Sequence, residues 1–207
     1  MGLTAEQLRS GLDALAGIEP AFAAAIARAG YPPPRISERG YATLLRTIIG
    51  QQVSVASAQS VWNKLAAAVG APDDPATVAA ASDETLRAAG LSRQKVGYAR
   101  SLADEVTSGR LDLANLPADD EAAIAELVRV KGIGRWSAEI YLLFAEGRGD
   151  IWPAGDLAVQ IEVGRILGHA ERPSEKLTRE LAEGWRPHRG AAAIMTWHHY
   201  RVDMAVI

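Results

Sequence analysis

The sequence predicts an all-α protein of roughly ten to twelve helices joined by short connections, on three observations. No stretch alternates between apolar and polar residues with a period of two over a useful length. Apolar residues recur instead at helical spacing, with capping residues or prolines before each run and glycines after it. Apolar residues make up 48% of the 207 residues, which is enough to bury a full core.

The start of the chain predicts two helices followed by a linker. Thr4 and Gln7 form a capping box, which opens the first helix. A second helix runs from about Pro20 to Ala29 and is closed by Gly30. Residues 31–34, Tyr-Pro-Pro-Pro, cannot be helical and therefore form a linker.

The remaining helices are predicted from the same start and stop signals. Helix starts are expected in the middle of the chain near Gly40, Val55, Pro75, Asp83 and Ser92, and after Pro117. Three more are expected downstream, at Asp156, Ser174 and Pro187. We find no internal repeat and no low-complexity segment.

A glycine turn between two helical patterns, at about residues 124–145, is a candidate binding site. Gly132 and Gly134 flank one apolar residue, and glycine lets the backbone adopt positive φ and approach a ligand closely. The second helix presents free N–H groups at its start, where a phosphate fits. Three basic residues would add positive charge: Arg129, Lys131 and Arg135. Taken alone, the motif is equally compatible with a structural turn.

Composition excludes some functions and leaves others open. The net charge of −3 is not typical of a nucleic-acid binder, but phosphate contacts are local and a basic face can bind DNA on an acidic chain. The absence of Cys excludes disulfides and Cys-ligated zinc or iron–sulfur clusters. The first residues do not show the basic-then-apolar pattern of a signal peptide, and the apolar runs are far short of the roughly 18 residues of a membrane span. We expect a cytoplasmic protein without a membrane partner.

Three motifs follow one another along the chain: Ile-Ile-Gly-Gln-Gln-Val-Ser at 48–54, Lys-Gly-Ile-Gly-Arg-Trp at 131–136 and Pro-Ala-Gly-Asp at 153–156. In this order they resemble the helix–hairpin–helix (HhH-GPD) superfamily of DNA glycosylases, and within it the alkylpurine branch, of the DNA-3-methyladenine glycosylase II type. The resemblance spans about residues 40 to 200. It implies two helical subdomains with a DNA cleft between them, and N-terminal residues that fold back onto the C-terminal helices. The implied subdomains are residues 1–37 plus 152–207, and residues 38–151 with the helix–hairpin–helix.

Asp156 is the residue on which the chemistry depends. From the residues alone it is a helix N-cap after a glycine. The resemblance places the catalytic carboxylate of the family at this position, and a helix N-terminus suits both roles. Excision of a base passes through a sugar with oxocarbenium character, so an ionised Asp would stabilise the charge and orient the attacking water. An alkylated purine already carries positive charge and leaves with little acid assistance.

Two tryptophans are candidates for the base pocket. Trp136 stands where the bifunctional members carry a lysine nucleophile, so a Schiff base and strand cleavage are not expected. Core packing is the alternative for Trp136 and for Trp197, whereas the resemblance implies pocket walls that stack on a cationic base. His198 and His199 are adjacent and point to different helix faces, so we expect surface or phosphate-contacting residues and no metal pair.

Gln51 and Gln52 lie in a turn between two helices, where polar side chains often satisfy backbone groups. The resemblance implies a residue here that inserts into DNA and fills the gap left by a flipped nucleotide, and Gln52 matches that position better than Gln51. Ser92, Arg93 and Lys95 open a helix and either contact a phosphate or form a capped, solvated helix end.

The resemblance also assigns roles to the glycine turn. It implies DNA phosphate contacts at five successive residues: Lys131, Gly132, Ile133, Gly134 and Arg135. Hairpins of the family hold a monovalent cation, sodium or potassium, through backbone carbonyls. Here those carbonyls belong to Val128, Val130 and Ile133. No other cofactor is expected.

We therefore expect a monomeric, nucleoid-associated and monofunctional glycosylase that releases 3-methyladenine and 7-methylguanine from duplex DNA in base excision repair. A glycosylase for oxidised or mismatched bases is an alternative. The absence of Cys removes its cluster-bearing members, and Trp136 disfavours its lyase members. A second alternative is a non-catalytic helix–hairpin–helix DNA-binding protein. Such a protein has no need of a carboxylate such as Asp156 facing anionic DNA.

Overall fold

The computed structural model describes residues 2–204, except for the side chains of residues 203 and 204. In this range the protein is all-α, as predicted, and no residue lies in a strand. The described residues form twelve α-helices: α1 Ala5–Ile18, α2 Pro20–Ala29, α3 Tyr41–Gly50, α4 Val55–Val69, α5 Pro75–Ala80, α6 Asp83–Ala88, α7 Arg93–Thr107, α8 Asp120–Leu127, α9 Arg135–Tyr141, α10 Leu157–Ile166, α11 Glu175–Leu181 and α12 Arg189–Met204. A π-helical turn, Leu142–Glu146, continues α9, and a 3₁₀ turn, Ala182–Trp185, continues α11.

The chain forms two compact units. The first takes in the described residues of Met1–Ser37 and Leu142–Ile207, and the second is Glu38–Tyr141. One boundary coincides with that of the expected subdomains, but the other precedes Leu142 rather than Trp152. The reason is that the π-helical turn is largely buried, and Phe144 packs within the first unit. Residues 1 and 205–207 of the expected first subdomain lie outside the described residues.

The first unit is built from α1, α2, α10, α11 and α12. Helix α12 packs against α10, α1 and α2, and α1 packs against α2. Alanines at 191–193 are fully or almost fully buried, and a Cβ on Gly11 of α1 would lie 3.1 Å from the Cβ of Ala191. Small residues therefore let α1 and α12 approach closely. Each buried leucine of α1 stabilises the unit by about 1.5–3 kcal/mol.

The second unit contains α3 to α9, and α7 is its central element. Helix α7 packs against α3, α5 and α6 through a buried apolar face: Val96, Ala99, Leu102 and Ala103. Helix α3 contributes a second apolar face: Leu44, Leu45, Ile48 and Ile49. Arg100 of α7 donates to the carbonyls of Ala79 and Ala81, at 3.1 and 2.6 Å, and so satisfies backbone groups at the end of α5.

Most predicted helix ends are confirmed, but the start of the last helix is wrong. Thr4 and Gln7 form the predicted capping box, and Gly30 ends α2 with φ of 73°. The last helix begins at Arg189 and not at Pro187. His188 N–H donates to the carbonyl of Trp185 at 2.7 Å and closes a separate turn that contains Pro187.

Within residues 2–204, no helix combines the length and the apolar character that a membrane span requires.

Candidate functional site

Asp156 caps α10, as the sequence predicted. Its carboxylate accepts the backbone N–H of Val159 at 3.0 Å, and its own carbonyl accepts the N–H of Gln160 at 3.0 Å. The side chain is half-buried. The carboxylate thus lies against the positive end of the α10 dipole, in a fixed orientation.

The loop that precedes Asp156 is held by buried hydrogen bonds. The indole N–H of Trp152 donates to the carbonyl of Thr178 at 2.9 Å, and its ring meets Trp185 edge-on, with the centroids 5.4 Å apart. In addition, the amide of Gln160 donates to the carbonyl of Ala154 at 2.8 Å. Because each bond is buried, the loop has little freedom, and the carboxylate is positioned before any substrate arrives.

An ion-pair network anchors the same loop further upstream. Arg189 donates two hydrogen bonds to Asp150, at 2.8 and 2.9 Å, and Arg186 donates a third at 2.6 Å. The Arg189 side chain is only 11% exposed, so this pair is mostly shielded from water. In addition, Gly190 N–H donates to the carbonyl of Gly149 at 2.8 Å, where an added Cβ would lie 2.7 Å from that oxygen.

Trp197 lies half-buried on α12, in the same unit as Asp156. Its ring packs against Phe144 at 5.6 Å between centroids, with the planes tilted by 37°. The guanidinium of Arg35 lies 4.7 Å from the Phe144 ring centroid, and burial lowers the pKa of Arg35. Core packing therefore accounts for part of the Trp197 ring, and the rest is accessible.

The expectation of a surface position is wrong for His199, whereas His198 is partly exposed. His199 is 6% exposed, and its Nδ1 bonds to Glu162, which is fully buried on α10. His198 is half-buried, and its Nε2 lies 2.9 Å from the carbonyl oxygen of Ala29. The two rings do point to different faces of α12, but both faces are packed. Among the side chains that the structure describes, no cluster of three or more His, Cys, Asp or Glu residues is suited to holding a metal ion.

The glycine hairpin, residues 128–134, joins α8 to α9 in the second unit. Gly132 has φ of 88°, and a Cβ there would lie 2.3 Å from the ring of Tyr98. Ile133 N–H donates to the carbonyl of Val130 at 3.0 Å and closes the turn. Gly134, by contrast, has open space where a Cβ would be. The fold therefore requires glycine at 132 but not at 134.

Carboxylates offset the expected positive charge of Arg129 and Arg135 around the glycine hairpin. The Arg135 guanidinium binds Glu121 through two nitrogens and Glu139 through Nε at 2.9 Å, and the hydrogen bond to Glu121 raises the pKa of Arg135. Arg129 pairs with Glu126 at 2.9 Å. Carboxylates thus balance both charges. The side chain of Lys131 is exposed, while its N–H donates to the hydroxyl of Ser101 at 3.0 Å.

Trp136 is the second residue of α9 and is 46% exposed. Core packing is therefore wrong for this residue. The exposed part of the indole lies close to the start of α9, where an aromatic face can stack on a ligand.

The glutamine turn, residues 50–54, joins α3 to α4. The amide of Gln51 donates to the carbonyl of Gly132 at 2.8 Å. Gln52 is exposed and has φ of 56°, the left-handed conformation that non-glycine residues rarely adopt. Val55, at the start of α4, is 88% exposed. A cavity of about 300 Å³ opens beside the turn, and Tyr98 is among the residues that line it.

The start of α7 is a capped helix end, one of the two alternatives for Ser92, Arg93 and Lys95. The hydroxyl of Ser92 accepts the backbone N–H of Lys95 at 3.2 Å. The ammonium of Lys95 donates to the carbonyl of Ile49 at 2.7 Å, at the end of α3, and burial lowers the pKa of Lys95. Sequence reasoning missed this contact and that of Tyr98 with Gly132, because nothing in a single sequence links residues so far apart.

The sequence matches a known protein family and is similar to individual proteins of known name. Residues 45–187 match the family described as HhH-GPD superfamily base excision DNA repair protein. DNA-3-methyladenine glycosylase 2 of Escherichia coli is 29% identical over 74% of this chain. This chain spans 55% of the length of that protein and 58% of the length of a Bacillus subtilis relative.

Two solved structures are similar over almost the whole chain. DNA-3-methyladenine glycosidase from Bacillus halodurans is 28% identical with a TM-score of 0.87, and the match covers 94% of this chain and 91% of that one. A 3-methyladenine DNA glycosylase from Schizosaccharomyces pombe, in complex with abasic DNA, is 25% identical with a TM-score of 0.77, over 94% of this chain and 97% of the other.

Proposed function

The chain belongs to the HhH-GPD superfamily of base excision DNA repair proteins, and we propose that it is a monofunctional glycosylase for alkylated purines. It hydrolyses the N-glycosidic bond of 3-methyladenine and 7-methylguanine in duplex DNA and leaves an abasic strand. The names of its relatives support this substrate class. The observation that carries the proposal is the capped, half-buried carboxylate of Asp156, which lies within the matched region.

Asp156 stabilises the sugar as the base departs. A carboxylate accepts several hydrogen bonds, so the bond from Val159 does not exhaust its capacity. As the glycosidic bond breaks, positive charge develops on the sugar, and a fixed carboxylate nearby lowers the free energy of that state. The same group orients the water that attacks the sugar. Because buried hydrogen bonds hold the loop before Asp156, its carboxylate needs little reorganisation when the reaction occurs.

Trp136 and Trp197 supply aromatic faces for the flipped base. The exposed part of each ring can stack on a purine, and an alkylated purine is cationic, so the attraction includes a cation–π component. Neither residue can act as an amine nucleophile, which supports hydrolysis without a Schiff base. Lys131 stands in the glycine hairpin just before Gly132, five residues ahead of Trp136, and is assigned to the DNA backbone instead.

The glycine hairpin grips the DNA backbone. Phosphate oxygens meet the N–H groups of Gly132 and Gly134 and the ammonium of Lys131, whereas the N–H of Ile133 is already donated to the carbonyl of Val130. Arg135 contributes its backbone N–H, because its guanidinium is engaged by two carboxylates. The charge of the hairpin therefore comes mainly from one lysine, and the salt dependence of binding should be shallow.

A sodium or potassium ion at the hairpin would be held by the carbonyls of Val128, Val130 and Ile133. Oxygen donors are the ligands that hard cations prefer. The carbonyl of Val130 already accepts the N–H of Ile133, but a carbonyl oxygen has a second lone pair. The donor set thus fits the ion. When bound, it would rigidify the turn and add positive charge near the phosphate.

Gln52 is the residue that enters the DNA and fills the space of the flipped nucleotide. Its exposure and left-handed backbone project it from the glutamine turn, whereas the amide of Gln51 is bonded to Gly132. The protein acts as a monomer on duplex DNA, and we assign it to the nucleoid in the cytoplasm.

A panel of duplexes with single lesions tests the proposal. We expect release of 3-methyladenine and 7-methylguanine, and no release of 8-oxoguanine or of adenine from a mismatch. Chromatography of the free base measures the product directly. If the protein binds every duplex and releases nothing, it is a DNA-binding module and not an enzyme. Preferential release of an oxidised or mismatched base would support the other class of glycosylase.

A further inference from the structure

The glutamine turn and the glycine hairpin are far apart in sequence but are joined by contacts within the second unit. The amide of Gln51 donates to the carbonyl of Gly132 at 2.8 Å. This bond connects the turn that carries Gln52 to the residue at the tip of the hairpin. Because Gln51 is half-buried, the bond is partly shielded from competing water.

Helix α7 braces both segments from one side. The ring of Tyr98 fills the space beside Gly132 that a Cβ would otherwise occupy, and Ser101 accepts the N–H of Lys131 at 3.0 Å. One turn earlier on α7, the ammonium of Lys95 donates to the carbonyl of Ile49, at the end of α3 just before the glutamine turn. A single rigid helix therefore contacts both the hairpin and the base of the turn.

The conformation of Gln52 depends on this bracing. A non-glycine residue at φ of 56° is strained, and such strain persists only where the surroundings hold it. The hydrogen bond from Gln51 to Gly132 fixes the residue just before Gln52, and the hydrogen bond from Lys95 to Ile49 fixes the end of α3. Without them the turn can relax to a conformation in which Gln52 no longer projects.

We propose that Gln51 and Tyr98 are positioning residues that lock the glutamine turn to the glycine hairpin, so that gripping the DNA backbone places Gln52 for base flipping. The inference rests on the proposed function. Flipping must offset the lost pairing and stacking of the target base, and the inserted side chain helps only if it stands at the correct distance from the gripped phosphate. Gln51 itself does not enter the DNA.

The test compares excision from a paired and an extrahelical lesion. One substrate carries 7-methylguanine opposite cytosine in a duplex, and the other carries it in a short bulge, where most of the flipping cost is absent. Single-turnover rates at saturating enzyme are measured for wild type and for Gln51→Met, which keeps the length of the side chain but cannot donate. Gln59→Met is the matched control, because Gln59 donates only to Asn63 on the exposed side of α4.

The expected result is a change in the ratio of the two rates. Gln51→Met should lower the rate on the paired lesion about tenfold, the scale of one lost hydrogen bond, and leave the rate on the bulged lesion within about twofold. Gln51→Asn, whose amide is too short to reach Gly132, should behave in the same way. Gln59→Met should leave both rates unchanged. Circular dichroism and thermal melting establish that each variant is folded.

A double-mutant cycle with Gln52→Ala tests whether Gln51 acts through Gln52. If it does, Gln51→Met causes no further loss on the paired lesion once Gln52 has been removed. Equal losses on both substrates, no loss on either, or a full additional loss in the Gln52→Ala background would each overturn the inference. The proposed function fails separately, and this inference with it, if the wild-type protein releases no base from either substrate.

Discussion

The carboxylate of Asp156 accepts the backbone N–H of Val159 at 3.0 Å, so the acid assigned to catalysis is also the cap of α10. The two roles make different demands. A cap needs an oxygen acceptor at this position, whereas charge stabilisation needs a carboxylate. A substitution that keeps the oxygen and removes the charge can therefore separate them.

Asp156→Asn is that substitution. The Asn oxygen can still accept the N–H of Val159, so the melting temperature should change little. Base release should fall at least about a hundredfold, the usual scale for removal of one electrostatic stabiliser. Single-turnover excision of 7-methylguanine measures the loss. Asp150→Asn serves as a contrast. It removes the charge that pairs with Arg186 and Arg189, so it should lower the melting temperature. Near-normal turnover by Asp156→Asn would sink the assignment.

The two glycines of the hairpin should respond differently to alanine. Gly134→Ala adds a Cβ in open space, so the fold should survive while the backbone approach to phosphate is obstructed. DNA binding should weaken for damaged and undamaged duplex alike, because backbone contacts carry no sequence information. Fluorescence anisotropy with both duplexes provides the measurement. If a folded variant loses affinity only for lesion-bearing DNA, the hairpin is not a general phosphate clamp.

Gly132→Ala is expected to act on the fold itself. The residue has φ of 88°, and its Cβ would collide with the ring of Tyr98. The strain alone should lower the free energy of unfolding by at least about 1 kcal/mol, and the collision adds to this cost. Chemical denaturation of Gly132→Ala beside Gly134→Ala checks the contrast. Equal stability of the two variants would mean that Tyr98 does not pack as described.

Helix ends could be predicted from the sequence because their signals are local. Thr4, Gly30 and Ser92 each act within a few residues of their own position, and all three mark helix ends as expected. Contacts between distant segments had no such signal. The sequence predicts positive charge at Arg135, but this side chain is paired with Glu121, fourteen residues earlier on α8.

The same limit applies to the candidate site. Asp156 was identified both as a cap and as the catalytic carboxylate of a resembled family, and its capping geometry is as expected. The expected surface position of His199 is wrong because burial depends on how α12 packs against α10, which adjacency in sequence does not reveal. The link from Gln51 to Gly132 could not be predicted for a similar reason, since it depends on tertiary placement alone.

The position of Trp136 predicts the outcome of a trapping experiment. A lysine there could form a Schiff base with the abasic sugar, but an indole cannot. Borohydride added during turnover should therefore trap no covalent protein–DNA adduct, and the product should remain an intact abasic strand until alkali is added. Gel electrophoresis under denaturing conditions shows both results. An adduct that disappears in Lys131→Ala would mean that Lys131 reaches the sugar and that its assignment to the DNA backbone is wrong.

The ion pair between Arg189 and Asp150 should contribute to stability more than a surface pair does. Arg189→Met leaves a largely shielded carboxylate with one fewer cation, which costs about 3 kcal/mol when a buried pair is broken and somewhat less here because Asp150 is 21% exposed. Lys176→Met is the control, since Lys176 is 87% exposed and lies 3.9 Å from Glu180. Urea denaturation compares the two variants. Similar midpoints would show that the network does not anchor the loop before Asp156.

Trp197 offers the sharpest test of how the protein selects its base. A ring face is worth roughly 0.5 to 2 kcal/mol as a cation–π partner, and stacking on any base is worth about 1–3 kcal/mol without regard to charge. Discrimination between cationic and neutral lesions should therefore be modest in binding and larger in rate, because the cationic base is also the better leaving group.

Trp197→Ala should lower single-turnover excision of 3-methyladenine and 7-methylguanine about tenfold, the equivalent of about 1.4 kcal/mol. Trp197→Phe should retain part of the activity, since a ring face remains. Because Trp197 also packs against Phe144, each variant needs a circular-dichroism check of folding, and Phe144→Leu serves as a control for lost packing. If a folded Trp197→Ala variant excises both bases at the wild-type rate, Trp197 is a packing residue and the base stacks elsewhere.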